Sequence, residues 1–207
     1  LRAASLTTDE DRVRRHVLQS FAAGATPNVP TIADQCGVHP LLIQGILERL
    51  ARADVLLLDV SGKTVLAAYP FSSVPTPHRV LLPGREVFAL CAVDALGIPG
   101  MVQEAAAISS RCAQCGLPVE IQAQPENVTR CLPVETVVWF PASEDDCCPV
   151  AHSRCPSISF FCCRDHLEGW RQVKGQPPGV VLSLSEAFDV GREIFGSMLT
   201  QTTQPES

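Results

Sequence analysis

Apolar residues recur at helical spacing three times near the start of the chain. Val13, Val17 and Phe21 mark a first helix, opened by Thr8 as cap with Asp9, Glu10 and Asp11 in the first turn, and closed at Gly24. Pro30-Thr31 opens a second helix, with Asp34 at the capping-box position and Cys36-Gly37-Val38 as its turn. Pro40 suits a first helical position, and Leu42, Ile43, Ile46, Leu47 and Leu50 form the apolar stripe of a third helix. The period then changes. Val55 to Val60 and Thr64 to Tyr69 are β-rich runs around Ser61-Gly62-Lys63, a hairpin signal. Three helices followed by a hairpin predict a winged-helix-like module over residues 1–75.

Phe71 to His78 is rich in proline and serine and reads as a linker. Beyond it the pattern predicts a second unit over residues 76–200. Its expected elements are a strand at Arg79 to Leu82, a Pro83-Gly84 turn and an apolar helix around Val87 to Leu96. Strands follow at Pro118 to Gln124 and Glu135 to Phe140, then a polar loop from Pro141 to Pro156. A buried strand at Ile158 to Cys162, a helix at Arg164 to Val173, a strand at Val180 to Leu184 and a helix at Ser185 to Leu199 complete it. Residues 201–207 read as a frayed tail. The fold class is α+β: the three-helix module plus a mixed or antiparallel sheet with flanking helices.

The net charge of −6 argues against wholesale binding to nucleic acid or membrane surfaces. Acidic and basic residues balance over 1–75, and the third helix begins His39-Pro-Leu-Leu-Ile-Gln44, poor in groups that read bases or phosphates. A structural winged helix is therefore favoured over a DNA-binding one, with a metal-responsive regulator as the competing use. No apolar run is long enough to span a bilayer. The opening Leu1-Arg-Ala-Ala-Ser5 lacks a signal-like apolar region, and the absent initiator methionine suggests trimming. Ten cysteines in a chain with an ample core point to working thiols or a metal site in the cytoplasm rather than to a secreted disulfide framework.

Three groups of residues carry candidate chemistry. Cys91 and Asp94 stand three apart in an apolar segment, on one face of the expected helix. Burial would raise the pKa of an unpaired Asp94 and let it hold a proton near neutrality; the plain alternative is a packed free thiol with Asp94 capping or ion-paired. Cys162 and Cys163 follow Phe160-Phe161, and strand alternation lets only one of them face a given pocket. Cys112-Ala-Gln-Cys115-Gly116 is spelled like a zinc knuckle, which Cys162 or Cys163 together with His166 could complete. Such a zinc site would draw thiols away from catalysis. Cys131, Cys147, Cys148 and Cys155 lie in or beside polar stretches that favour no site; Cys36 reads as packing, and His39, His78 and His152 as solvated.

These residues resemble a known family. Phe88-Ala-Leu-Cys-Ala-Val-Asp-Ala-Leu-Gly-Ile-Pro99 looks like the active-site helix of organomercurial (alkylmercury) lyases. Ser109-Ser-Arg-Cys112, Ser159-Phe-Phe-Cys-Cys163 and Gly179-Val-Val-Leu-Ser-Leu-Ser-Glu-Ala-Phe188 resemble three further segments of that family, in order. The resemblance covers roughly residues 76–200. It implies that Cys91 and Cys162 bind mercury, that Asp94 relays a proton, that Cys112 is structural and that Cys163 is dispensable. It implies protonolysis of an organomercurial substrate without an organic cofactor, with mercury(II) passing to cytosolic thiols or a mercuric reductase. The departures are Cys115, the cysteine-bearing loop at 141–156, and Arg164-Asp-His166. They leave a lyase-like zinc-binding protein as the alternative.

Overall fold

The computed structural model describes residues 6–142, 155–174, 178–196 and 198–199. The opening Leu1 to Ser5, the tail beyond 199 and most of the 141–156 loop, with Cys147, Cys148 and His152, lie outside the described residues. Three helices lead: α1 (Thr8–Ala22), α2 (Val29–Cys36) and α3 (Pro40–Arg52). Thr7, one residue earlier than expected, caps α1 in a reciprocal box with Glu10. Asn28 and Thr31 do the same for α2. Each box satisfies amide donors that a helix start otherwise leaves open. The buried residues of α3 are Ile43, Ile46, Leu47 and Leu50; Leu42, also expected in the stripe, is exposed.

The hairpin β1 (Leu56–Leu58) and β2 (Val65–Ala68) follows, and Asn28 bridges back to Thr64, giving the expected order of three helices and a hairpin. The stretch expected as a linker holds a strand instead. β3 (Phe71–Ser72) pairs with β2 on one side and with β5 (Arg85–Ala89) on the other. One antiparallel sheet therefore runs from the wing through β4 (His78–Leu82), β6 (Ala106–Arg111), β7 (Pro118–Ala123) and β8 (Val128–Leu132), in the order β1-β2-β3-β5-β4-β6-β7-β8. The apolar core is likewise continuous from α1 across the sheet. Arg85 strengthens the join: its guanidinium donates to the Ala22 carbonyl at the end of α1 and pairs with both oxygens of Glu104.

A second, three-stranded antiparallel sheet has β9 (Val137–Pro141) between β10 (Phe160–Phe161) and β11 (Gly179–Ser183). Helix α5 (Arg164–Lys174) covers it, burying Trp139, Phe161, Leu167 and Trp170 in a separate apolar cluster.

Helix α4 (Ala92–Val102) lies between the large sheet and α6 (Leu184–Phe195). The single helix expected around Val87 to Leu96 is in fact strand β5 and then α4, separated by Leu90-Cys91. A continuous apolar run has no polar face, so no periodicity marks where the strand stops. Every residue of α4 from Ala92 to Met101 is buried. Close approach to α6 rests on two glycines. A Cβ on Gly97 would come 2.5 Å from the Phe195 ring and 2.7 Å from the Gly191 carbonyl oxygen, and one on Gly191 would come 2.7 Å from the Val93 carbonyl oxygen. Among the described residues no helix is long and apolar enough to cross a membrane.

Gly97→Ala is therefore expected to push α4 and α6 apart and to destabilise the fold by about 2 kcal/mol or more. Thermal unfolding would register this as a fall in Tm of roughly 4–8 °C.

Candidate active site

Cys91 is the residue before the first turn of α4. Its backbone is extended, and its sulfur accepts the Asp94 N–H at 3.4 Å. The thiol thus occupies the place usually taken by serine or threonine at a helix start, with Asp94 at the third helical position. The two residues converge as the spacing predicts, although Cys91 caps the helix rather than lying within it.

The third member of the site is Cys155. It begins a 3₁₀ turn, Cys155–Ser157, and its thiol lies 3.9 Å from Asp94 Oδ2. The ligand atoms of Cys91, Asp94 and Cys155 all lie within 4.8 Å of one another, and all three residues are buried. One hydrogen bond fixes the turn against the helix: the Ala92 N–H donates to the Ile158 carbonyl at 3.0 Å. It satisfies one of the amides left open at the start of α4 and brings the Cys155 segment to the Cys91 cap.

Burial is the largest electrostatic influence here. It lifts the Asp94 carboxyl to about 7, against the opposing pull of hydrogen bonds from Cys91 and Cys155. Burial also drives the Cys91 thiol well above its ordinary value, reinforced by Cys155 and by the neighbouring carboxylate. The site thus favours a neutral Cys91 thiol beside an acid that holds or yields a proton near neutrality. A soft cation changes that balance, since thiolates bind it far better than carboxylate or imidazole does.

Cys162, expected beside Cys91, is placed elsewhere. It lies in a second cluster with Cys112, Cys115 and His166. Its sulfur is 3.0 Å from His166 Nδ1 and 3.8 Å from the Cys115 sulfur. Of the expected zinc set, Cys112, Cys115 and His166 come together; Cys163, half-exposed, is replaced there by Cys162, as the alternation of side chains along a strand allows. Cys155 gave no positive signal in its polar surroundings. The usable clue was exclusion, because a knuckle completed by Cys162 needs the second thiol near Cys91 to come from another cysteine.

His78 also differs from its expected solvated state. It is buried, with Nδ1 3.0 Å from Ser110 Oγ and its ring edge-on to Phe160 at 5.6 Å. Burial lowers its pKa to about 4, so it is neutral at physiological pH. His39 is exposed and caps α3 through Nδ1. Cys131 is half-buried and donates to the Pro133 carbonyl.

Comparison with known proteins identifies the family. The family model described as MerB, alkylmercury lyase, matches residues 71–196. An alkylmercury lyase of Streptomyces lividans is 28% identical over 191 residues, covering 92% of this chain and 85% of that protein. One of Bacillus cereus is 27% identical over 178 residues, covering 86% and 78%. One of Pseudomonas putida is 31% identical over 128 residues, covering 60% and 57%. A crystal structure of the mercury-bound form of MerB2 superposes with a TM-score of 0.83 at 24% identity, over 96% of this chain and 95% of that one, which supports the α+β fold. With more than half of its length matched by the family model, the chain belongs to the alkylmercury lyase family.

Proposed function

We propose that this enzyme cleaves the carbon–mercury bond of organomercurials by protonolysis, using Cys91, Asp94 and Cys155. The supporting observation is the buried cluster itself, in which two thiols flank a carboxyl raised to about 7. An organomercurial arrives as R–Hg–X, where X is a thiolate or other carried ligand. Cys91 displaces X, and the Cys91 proton leaves with X as HX while the Asp94 carboxyl is ionised. Cys155 then bonds the same mercury, and its proton goes to Asp94. A second thiolate raises the electron density on mercury and weakens the bond to carbon. Asp94 delivers the proton to that carbon, R–H departs, and mercury(II) stays on the two sulfurs. Mercury keeps its oxidation state throughout, because the electron pair of the broken bond goes to carbon together with the proton.

The buried site excludes water that would compete for the Asp94 proton and that would stabilise its carboxylate. The chemistry calls for no organic cofactor. Mercury(II) is released to cytosolic thiols or to a mercuric reductase, in keeping with a cytoplasmic enzyme. Cys155 replaces Cys162 in the role of second thiol. Cys162 is the less suitable candidate because it stands in the other cluster.

Benzene release from phenylmercury with excess small thiol tests these roles. Cys91→Ser and Cys155→Ser are expected to reduce it to background, and Asp94→Asn by about 10²-fold or more. Parent rates in Cys155→Ser would return the second thiol to Cys162.

The raised Asp94 pKa has a thermodynamic counterpart. The folded state keeps the Asp94 proton up to about pH 7, whereas the unfolded chain, near the ordinary 3.8, gives it up earlier. Over that window the folded state binds more protons, so this group's contribution to stability falls as pH rises and levels off above the folded value. Asp94→Asn removes the penalty. Its urea midpoint should gain on the parent's between pH 4 and pH 7 and hold that gain above; an unchanging difference would contradict a buried acid.

A further inference from the structure

Three separate segments deliver the second cluster. Cys112 and Cys115 lie on the turn after β6, Cys162 follows β10, and His166 sits in the first turn of α5. The turn has the features of a metal knuckle. The Gly116 N–H donates to the Cys112 carbonyl at 2.9 Å, and Gly116 adopts the left-handed conformation, with φ +74°, that favours glycine. The backbone N–H groups of Cys162, Cys115 and Gln114 favour the thiolate form of Cys112. Such donors stabilise a thiolate, and in particular a metal-bound one.

The distances fit one tetrahedral ion. With Zn–S bonds of about 2.3 Å, two sulfurs on a tetrahedron lie about 3.8 Å apart, and with Zn–N of about 2.05 Å a sulfur and a nitrogen lie about 3.5 Å apart. Cys115 and Cys162 are 3.8 Å apart, and His166 Nδ1 lies 3.0 Å from Cys162 and 3.9 Å from Cys112. A disulfide between Cys115 and Cys162 would need about 2.05 Å, and all four cysteine and histidine ligand atoms lie within 4.8 Å of one another. Packed thiols alone do not call for an imidazole aimed at the same point from a different element.

We propose that Cys112, Cys115, Cys162 and His166 form a structural zinc(II) site, distinct from the mercury-binding cluster. Three thiolates and one imidazole with no open position are the donor set of a closed zinc centre. Binding displaces the three thiol protons to solvent. The ion clamps the knuckle and the start of α5 to β10, where the Ala113 N–H already donates to the Phe160 carbonyl at 3.0 Å. Because β10 follows the Cys155 turn within a few residues, the clamp also steadies the second mercury-binding thiol.

The test is metal analysis of protein purified under reducing conditions from zinc-replete medium. About one zinc per chain is expected, retained in the Cys91→Ser/Cys155→Ser double variant and lost in Cys115→Ser, whose residue is exposed and least needed for packing. Cobalt(II) exchanged into the parent should show the d–d bands of a tetrahedral thiolate site, absent in Cys115→Ser. Chelation should lower Tm and zinc should restore it, a readout that does not depend on any variant folding. A metal-free parent would overturn the proposal, as would zinc retained in both Cys115→Ser and His166→Asn, or zinc lost from the double variant. A Cys115–Cys162 disulfide, or mercury(II) but not zinc(II) at these residues, would overturn it too. Protonolysis is scored separately, so failure here leaves the lyase reading intact and the converse also holds.

Discussion

The hydrogen bond from the Ala92 N–H to the Ile158 carbonyl is the contact on which the active site depends. Cys91 and Asp94 are local to one helix start, and their spacing alone brings them together. Cys155 is 61 residues from Asp94 in sequence and begins a short 3₁₀ turn. A backbone donor left open by the geometry of α4 supplies the anchor. Ile158 belongs to the large core, as do Val138 and Phe160 of the small sheet, while Phe161 belongs to the second cluster. The Trp139 N–H, donating to the Ser159 carbonyl at 3.2 Å, continues the same seam.

Helix α4 has to be rigid for this to work, and its rigidity comes from complete burial. Gly97 and Gly191 let α6 approach the side of α4 directly, with backbone against backbone. The large sheet closes the opposite side. An acid within such an enclosure cannot draw on water to stabilise its charge, and the same packing that fixes the helix sets the proton affinity of Asp94. Fold and chemistry share one cause here.

How much of this was legible in the sequence follows from the same physics. α1, α2 and α3 bury one face each, so Val13, Val17 and Ile43 through Leu50 announced them, and residues near each start satisfied the caps. α4 buries all its faces, so its boundary with β5 left no trace in the pattern. β6 and β8 went unpredicted for opposite reasons: Ala106 to Arg111 mixes small and polar residues, and Val128 to Leu132 forms a sheet edge exposed enough to read as a loop. Phe71 and Ser72 form a buried strand inside a proline- and serine-rich stretch, where tertiary pairing overrides composition. Cys91 and Asp94 were recognisable because they are local. Cys155 depends on a long-range hydrogen bond between backbone groups, which carry no side-chain signature.

The position of Cys91 sets two demands against each other. As the capping residue, its sulfur accepts the Asp94 amide at 3.4 Å, longer than an oxygen acceptor would allow. An oxygen there would make the sturdier helix start but a poor partner for a soft cation. In the proposed role, mercury on this sulfur would draw its electron density toward the metal and away from the amide. The first turn of α4 would then respond to the metal, because the capping amide belongs to Asp94 itself. A thiol at this position therefore ties capture to the helix backbone, with a weaker cap than an oxygen would make.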